Sequence, residues 1–228
     1  MTNRHDIMFD KIAPTYDLLN RILSFGHDFF WRLSLAKKLP KNNIKVLDIG
    51  TGTAAQIIAN HKVCKNIEFS VGLDSSSNMI LKGKNRIKEN RLCNVDFVQG
   101  GALNIPLKSK SFDAVTIAFG IRNFLDFGTA LSEVNRVLKS NGKVIILEFS
   151  IPKNNFIRNI YLLYLRTFMP LIGTIISGDK HAYRYLNKSI ETFSNQKNFC
   201  EIMHTAGFKH IKTKNISFGI ATIYEGEK

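Results

Sequence analysis

Short apolar runs alternate with amphipathic stretches through the middle of the chain, the pattern of repeated strand–helix–strand units around a parallel sheet. Ile44–Ile49, Ile67–Asp74, Val95–Gln99, Ala114–Phe119 and Lys143–Phe149 read as buried strands, rich in branched and aromatic residues. Between them, Thr53–His61, Ser76–Glu89 and Phe127–Leu138 carry helical spacing; in the last, Leu131, Val134, Val137 and Leu138 share one face. Gln196–Thr205 predicts a further helix, followed by His210–Lys214 and Ile220–Tyr224 as an antiparallel finish to a mostly parallel sheet. The expectation is a single α/β domain in four parts: a helical cap over 1–40, a core over 41–150, a helical lid over 151–190, and a closing helix and strands over 191–228. The inserted segment, centred on 153–190, falls at the carboxyl edge of the sheet, where open α/β folds hold their ligands.

Composition narrows the partners. With 228 residues the chain is long enough to bury a core without staples. Lys and Arg total 32 against 18 Asp and Glu, a formal charge of +14. That charge is spread along the chain with no basic tail. Its densest run, Lys82, Lys84, Arg86, Lys88 and Arg91, encircles a helix and holds no aromatic residue for base stacking, so no nucleic acid is expected as partner. A solvated surface, or attraction to an anionic membrane, remains. Cys64, Cys93 and Cys200 are scattered and form no C-x-x-C pair, so neither a disulfide framework nor a metal site is expected, and a reducing cytoplasm fits. The opening residues lack the apolar stretch of a signal peptide. Phe156–Ile176 is strongly apolar but interrupted by Arg158, Arg166 and Pro170, which argues against a membrane span. It reads either as a segment lying in the headgroups or as a lid helix buried on the sheet.

VLDIGTGTA supplies the first chemistry. The chain leaves a strand at Asp48 and turns through Gly50 and Gly52 into a helix, so backbone N–H groups and a helix N-terminus face any ligand seated there. Asp74 ends the second strand 22 residues after Gly52, where an acid accepts ribose hydroxyls. An acid at Asp48, read as pointing into the crevice, suits an amino-acid ammonium better than a diphosphate. The reading therefore favours S-adenosyl-L-methionine over a dinucleotide.

VLDIGTGT, GLDSSSNM, SFDAVTIAFGIRNF, ALSEVNRVLKSNGKVIILEFS, YRYLNKSI and the opening IAPTYDLLNRILSFGHDFFWR resemble the ubiquinone/menaquinone biosynthesis C-methyltransferases of the demethylmenaquinone methyltransferase type. The resemblance covers nearly the whole chain. It implies the class I S-adenosylmethionine-dependent methyltransferase fold, with a Rossmann-like seven-stranded sheet. It also implies methyl transfer to a ring carbon of a prenylated quinol, demethylmenaquinol above all. By resemblance, Thr53 and Asp74 match cofactor contacts, Gly101 and Ala102 fall on the adenine pair, and Ala118 stands where a small hydroxyl residue is common; Ser75, next to Asp74, is a further cofactor candidate. The chain also departs from the pattern. Ala54 and Ala55 replace the usual Gly-Asp after the turn, and Gly101 replaces an Asp or Asn, removing a side-chain acceptor. Two alternatives follow: a methyltransferase for another lipophilic small molecule, or a catalytically weakened cofactor-binding relative.

Ring methylation asks for a deprotonated quinol hydroxyl, and an ordinary phenol has a pKa of about 10. A cation or a general base is therefore expected near the ring. Candidates in the resembling segments are Arg122 and Asn123 after the fourth strand, Tyr183, Arg184 and Tyr185 in the lid, and Tyr16 and Asp17 near the start. Arg122 either holds a phenolate or pairs with a core acid. Asn123 orients a hydroxyl or caps a turn.

Overall fold

The structure, a computed structural model, describes residues 21, 24, 26–171, 180–194 and 199–228. Its centre is a sheet in which strands β1 (Ile44–Ile49), β2 (Ile67–Asp74), β3 (Val95–Gln99), β4 (Phe112–Ala118), β5 (Leu138–Phe149), β6 (Lys209–Ile216) and β7 (Ala221–Glu227) run in the order β3-β2-β1-β4-β5-β7-β6. The first five pair in parallel and β7 lies antiparallel between β5 and β6, as the sequence predicts. This is the class I methyltransferase sheet. The order reverses between β1 and β4, which opens the crevice at their carboxyl ends.

Alternation along the strands divides the core in two. Leu47, Ile49, Val71, Leu73, Val115, Ile117, Val144 and Ile146 face one way, under helices α4 (Phe127–Val137) and α7 (Phe199–Thr205). Ile44, Val46, Ala114, Ile145 and Leu147 face the other, under helix α1 (His27–Ala36), whose Trp31 and Leu35 close that side. Helices α2 (Ala55–Val63) and α3 (Ser77–Glu89) complete the first units, and Ser76 caps α3 by accepting from the Met79 N–H at 3.1 Å. Gly83 lets α3 sit close to the glycine turn, because a Cβ there would lie 2.9 Å from the Phe97 ring and 3.2 Å from the Gly52 carbonyl.

Several boundaries move. The helix expected from Thr53 starts at Ala55 because Gly52 (φ +52°) and Ala54 (φ +62°) both take left-handed backbone. Strand β4 begins two residues earlier than expected. Strand β5 begins at Leu138 rather than Lys143 because Leu138 already pairs with Phe112; the KSNG turn becomes an irregularity within the strand, with Asn141 at φ +64°. Strands β6 and β7 extend beyond the expected runs to Ile216 and Glu227. Helix α7 is described from Phe199; the expected start at Gln196 lies outside the described residues.

The segment expected as a lid holds helix α5 (Asn155–Leu163), continued through a wide π-type turn over Tyr164–Phe168, and helix α6 (Lys180–Ser194). Asn154 opens α5 by accepting from the Phe156 and Ile157 N–H groups. Asn187, within the YRYLNKSI motif, donates to the Leu165 carbonyl inside the wide turn, and the Arg166 guanidinium grips Glu191 with two bonds of 2.9 and 2.7 Å. Helix α6 runs across the expected 190/191 boundary, so lid and closing segment share one helix.

Candidate active site

The glycine turn builds the first cavity. Gly50 at φ +65° and Gly52 at φ +52° bend the chain back over the sheet edge, and Asp74 fastens the bend. Its Oδ2 accepts from the Gly52 N–H at 2.8 Å and its Oδ1 from the Ser76 N–H at 3.0 Å. Above the turn lies a cavity of about 230 Å³ whose wall includes Gly50, Gly52, Asp74, Ser75, Gly101, Ala102, Ala118 and Asn123. These eight residues, singled out in the sequence, come together here from four separate segments. Met79, Leu103, Phe124 and Leu125 add an apolar surround that sequence reading did not single out, although Met79 and Phe124 end motifs it quoted and Leu103 and Leu125 directly follow Ala102 and Phe124. At Gly101 a Cβ would meet nothing within 4 Å, so the cavity is open where the expected acceptor is absent.

Two cofactor candidates are elsewhere. Asp48 does not enter the crevice. Strand alternation turns it to the same face as Val46, where it is 1% exposed and its Oδ1 accepts from the Thr116 hydroxyl at 2.6 Å. Burial pushes its carboxyl up to about 6, against hydrogen bonds and the nearby Arg32 charge that favour ionisation. Thr53 is also buried off the cavity wall. Its hydroxyl accepts from Arg86 at 2.8 Å, because the left-handed step at Ala54 swings the chain away from the ligand side.

A second cavity, of about 440 Å³, lies beside the first and is predominantly apolar. Trp31 and Arg32 of α1, Phe149, Tyr161, Tyr164 and Ile220 are among its walls. Phe119 lines both cavities. It follows β4 with φ +59°, a costly conformation for a bulky residue, of order 1–3 kcal/mol. Its N–H bonds the Leu147 carbonyl at 2.8 Å, and its ring packs 4.5 Å from Phe149 and 6.0 Å from Trp31. The sharp step leaves Ala118 facing one cavity and the aromatic ring dividing it from the other.

Arg122 stands at that division. The core-acid pairing weighed for it is present in the geometry, and it also lines the apolar cavity. Its Nη1 donates to Glu148 Oε1 at 2.7 Å and to the Phe119 carbonyl at 2.6 Å, and its Cζ lies 5.4 Å from the Phe149 ring centre. Glu148 is fully buried and also accepts from the Arg122 and Phe149 N–H groups, so the pair is well bonded where isolated charges would be costly. Adjacent Asn123 faces the other cavity, from a single 3₁₀ turn over Ile121–Asn123. Glu148 was not singled out in the sequence, where it is one acid at a strand end. Of the other candidates, Tyr16 and Asp17 lie outside the described residues. Tyr183, Arg184 and Tyr185 fall in α6, but their side chains are outside the described part.

The comparisons agree with this architecture. Residues 2–228 match the model of the ubiE/COQ5 methyltransferase family. The chain is 42% identical over 229 residues to a demethylmenaquinone methyltransferase of Thermotoga maritima, covering 99% of this chain and 97% of the relative. It is 40% identical over 230 residues to a ubiquinone/menaquinone biosynthesis C-methyltransferase of Campylobacter jejuni, covering 97% and 96%. Among solved structures, a SAM-dependent methyltransferase of Thermotoga maritima superimposes with a TM-score of 0.67 at 20% identity, over 96% of this chain and 98% of its own. Phosphoethanolamine N-methyltransferase 2 of Haemonchus contortus, in complex with S-adenosyl-L-methionine, does so with 0.63 at 16% identity, over 86% and 52%.

Proposed function

The chain belongs to the ubiE/COQ5 methyltransferase family, and from that premise we propose that its two adjoining cavities are the halves of one C-methylation site acting on demethylmenaquinol in quinone biosynthesis. The observation that carries the reading is the junction itself. A glycine-turn cavity with an acid at the end of β2 meets a larger apolar cavity at one residue, Phe119, with a buried arginine beside it.

The smaller cavity fits S-adenosyl-L-methionine. Asp74 would accept the ribose hydroxyls, Gly50 and Gly52 allow close approach of backbone, and Gly101 and Ala102 border the adenine with open space. When bound, that cofactor supplies an electrophilic sulfonium methyl. The residues of this chain have three tasks. Phe119, Trp31 and Phe149 hold a flat ring and exclude water. Arg122 stabilises the phenolate that makes the ring carbon a nucleophile, and Asn123 orients it from the cofactor side. The long apolar wall through Ile157, Ile160 and Leu186 receives the prenyl tail.

Among the described residues no helix is long and apolar enough to cross a membrane. The lid instead offers its outer face to a bilayer. Phe156, Ile160, Leu163 and Leu171 are each more than half exposed at near-helical spacing, and Ile160 also lines the apolar cavity. Exposed Lys153 and Arg158 flank that face, complementing anionic headgroups.

The test is a quinone profile of a strain lacking this protein and complemented with it. Loss of the protein is expected to accumulate the demethylated quinone, and complementation to remove it. An unchanged profile in the lacking strain would overturn the assignment.

A further inference from the structure

Three buried donors on the wall of the apolar cavity, Arg32 Nε, Arg122 Nε and the Tyr161 hydroxyl, make no hydrogen bond among the described residues, and the last two belong to residues that feel each other's charge. Tyr161 of α5 is 7% exposed, yet its hydroxyl makes no hydrogen bond among the described residues. Arg122 engages Glu148 and the Phe119 carbonyl through Nη1, while its Nε is buried and also without a partner. Both residues line the same cavity. Orphaned buried polar groups are costly, and native interiors leave few of them without use.

We propose that Tyr161 is a substrate-binding residue whose hydroxyl, together with Arg122 Nε, cradles the quinol oxygen next to the carbon that is methylated. This rests on the reading of the larger cavity as the quinol pocket. One oxygen satisfies both donors, and a phenolate oxygen does so best because charge-assisted bonds are about twice as strong as neutral ones. The surroundings decide that Tyr161 donates rather than accepts a proton. Burial, first, and then the neighbouring Tyr164 push its own ionisation well above the ordinary phenol range, so the hydroxyl keeps its hydrogen. Glu148 already holds Arg122, and Ile190, Leu165 and Met169 pack with Tyr161, so neither donor need reorganise when the ring arrives. The cradle spans the sheet edge and α5, which makes the lid a part of the site rather than a cover.

The protein contains one tryptophan, Trp31, and it lines this cavity, so its fluorescence reports occupancy. The experiment measures binding of a short-chain demethylated quinol and of its analogue lacking the hydroxyl next to the methylated carbon, to the wild type and to Tyr161→Phe. Expected for the variant is a five- to tenfold loss of affinity for the quinol (about 1 kcal/mol) with no loss for the deoxy analogue. The rising limb of its kcat/KM profile should move to higher pH. Because the removed hydroxyl has no partner among the described residues, the melting temperature of the ligand-free variant should stay or rise. Equal losses for both ligands, no loss for either, or a lowered melting temperature would each overturn the cradle. Failure of the wild type itself to bind or methylate the quinol would instead overturn the functional reading.

Discussion

Ala54 and Gly101 show how a motif departure acquires meaning from backbone geometry. Ala54 sits at φ +62°, ψ +22°, where the family pattern has glycine, and the left-handed backbone costs an alanine roughly 1 kcal/mol. Its methyl is fully buried, which offsets part of that strain. The turn therefore keeps its shape without the glycine. Gly101 differs, because nothing crowds it and its backbone lies outside the left-handed region that favours glycine. A side-chain acceptor can be restored there. Gly101→Asn is expected to tighten S-adenosyl-L-methionine up to about tenfold, the worth of one added hydrogen bond of 0.5–1.5 kcal/mol. Titration calorimetry checks it, and unchanged affinity would remove Gly101 from the adenine edge.

Among the elements, the lid was the least legible from sequence. Its apolar run is compatible with burial or with lipid contact, and periodicity alone does not choose between them. The structure divides the residues. Tyr161, Leu165 and Met169 turn inward on a cluster with Ile190, while Phe156, Ile160, Leu163 and Phe168 remain more than half exposed. The wide turn over Tyr164–Phe168 and its bond from Asn187 set that division, and both depend on α6 being present. Replacing Phe156 and Leu163 together by Ser is expected to reduce association with anionic phosphatidylglycerol vesicles at least tenfold in a flotation assay. The fold should be kept, since exposed sites outside special contacts change stability little. Binding that survives the double change, or that never depended on anionic lipid, would leave the charge as a matter of solubility alone.

At the scale of the whole molecule, a buried polar chain joins α1, α2 and the two central strands. Gln56 donates to the Arg32 carbonyl and to Asn60, Asn60 donates to Thr116, and Thr116 donates to Asp48. Asp48 is held protonated to higher pH than in the unfolded chain, about 6 against an ordinary 3.8. Its contribution to stability is thus complete below about pH 4 and is lost as pH rises through 6, as much as ~3 kcal/mol. Glu133 and Glu191 work oppositely: paired with Arg136 and Arg166, they are held below the ordinary carboxylate range and lose their contribution in acid. Comparison with Asp48→Asn isolates the one carboxyl. Urea unfolding of the cofactor-free proteins should show the variant gaining on the wild type between pH 4 and 7. A constant difference across that range would place Asp48 in a more hydrated setting.

The order of strands and helices, the glycine turn, Asp74 and the antiparallel finish were all readable in the sequence. Each depends on neighbours a few residues apart, through the period of apolar positions and the backbone freedom of glycine. The same is true of the family resemblance, which rests on linear motifs. Tertiary structure decided what distant segments do to one another. It turned Asp48 away from the crevice and under α1, gave Arg122 the buried Glu148, and set Phe119 between two cavities. It also left the Tyr161 hydroxyl without a hydrogen-bond partner among the described residues. Burial and hydrogen-bond satisfaction are properties of a neighbourhood assembled from the whole chain, and no local pattern encodes which partner arrives.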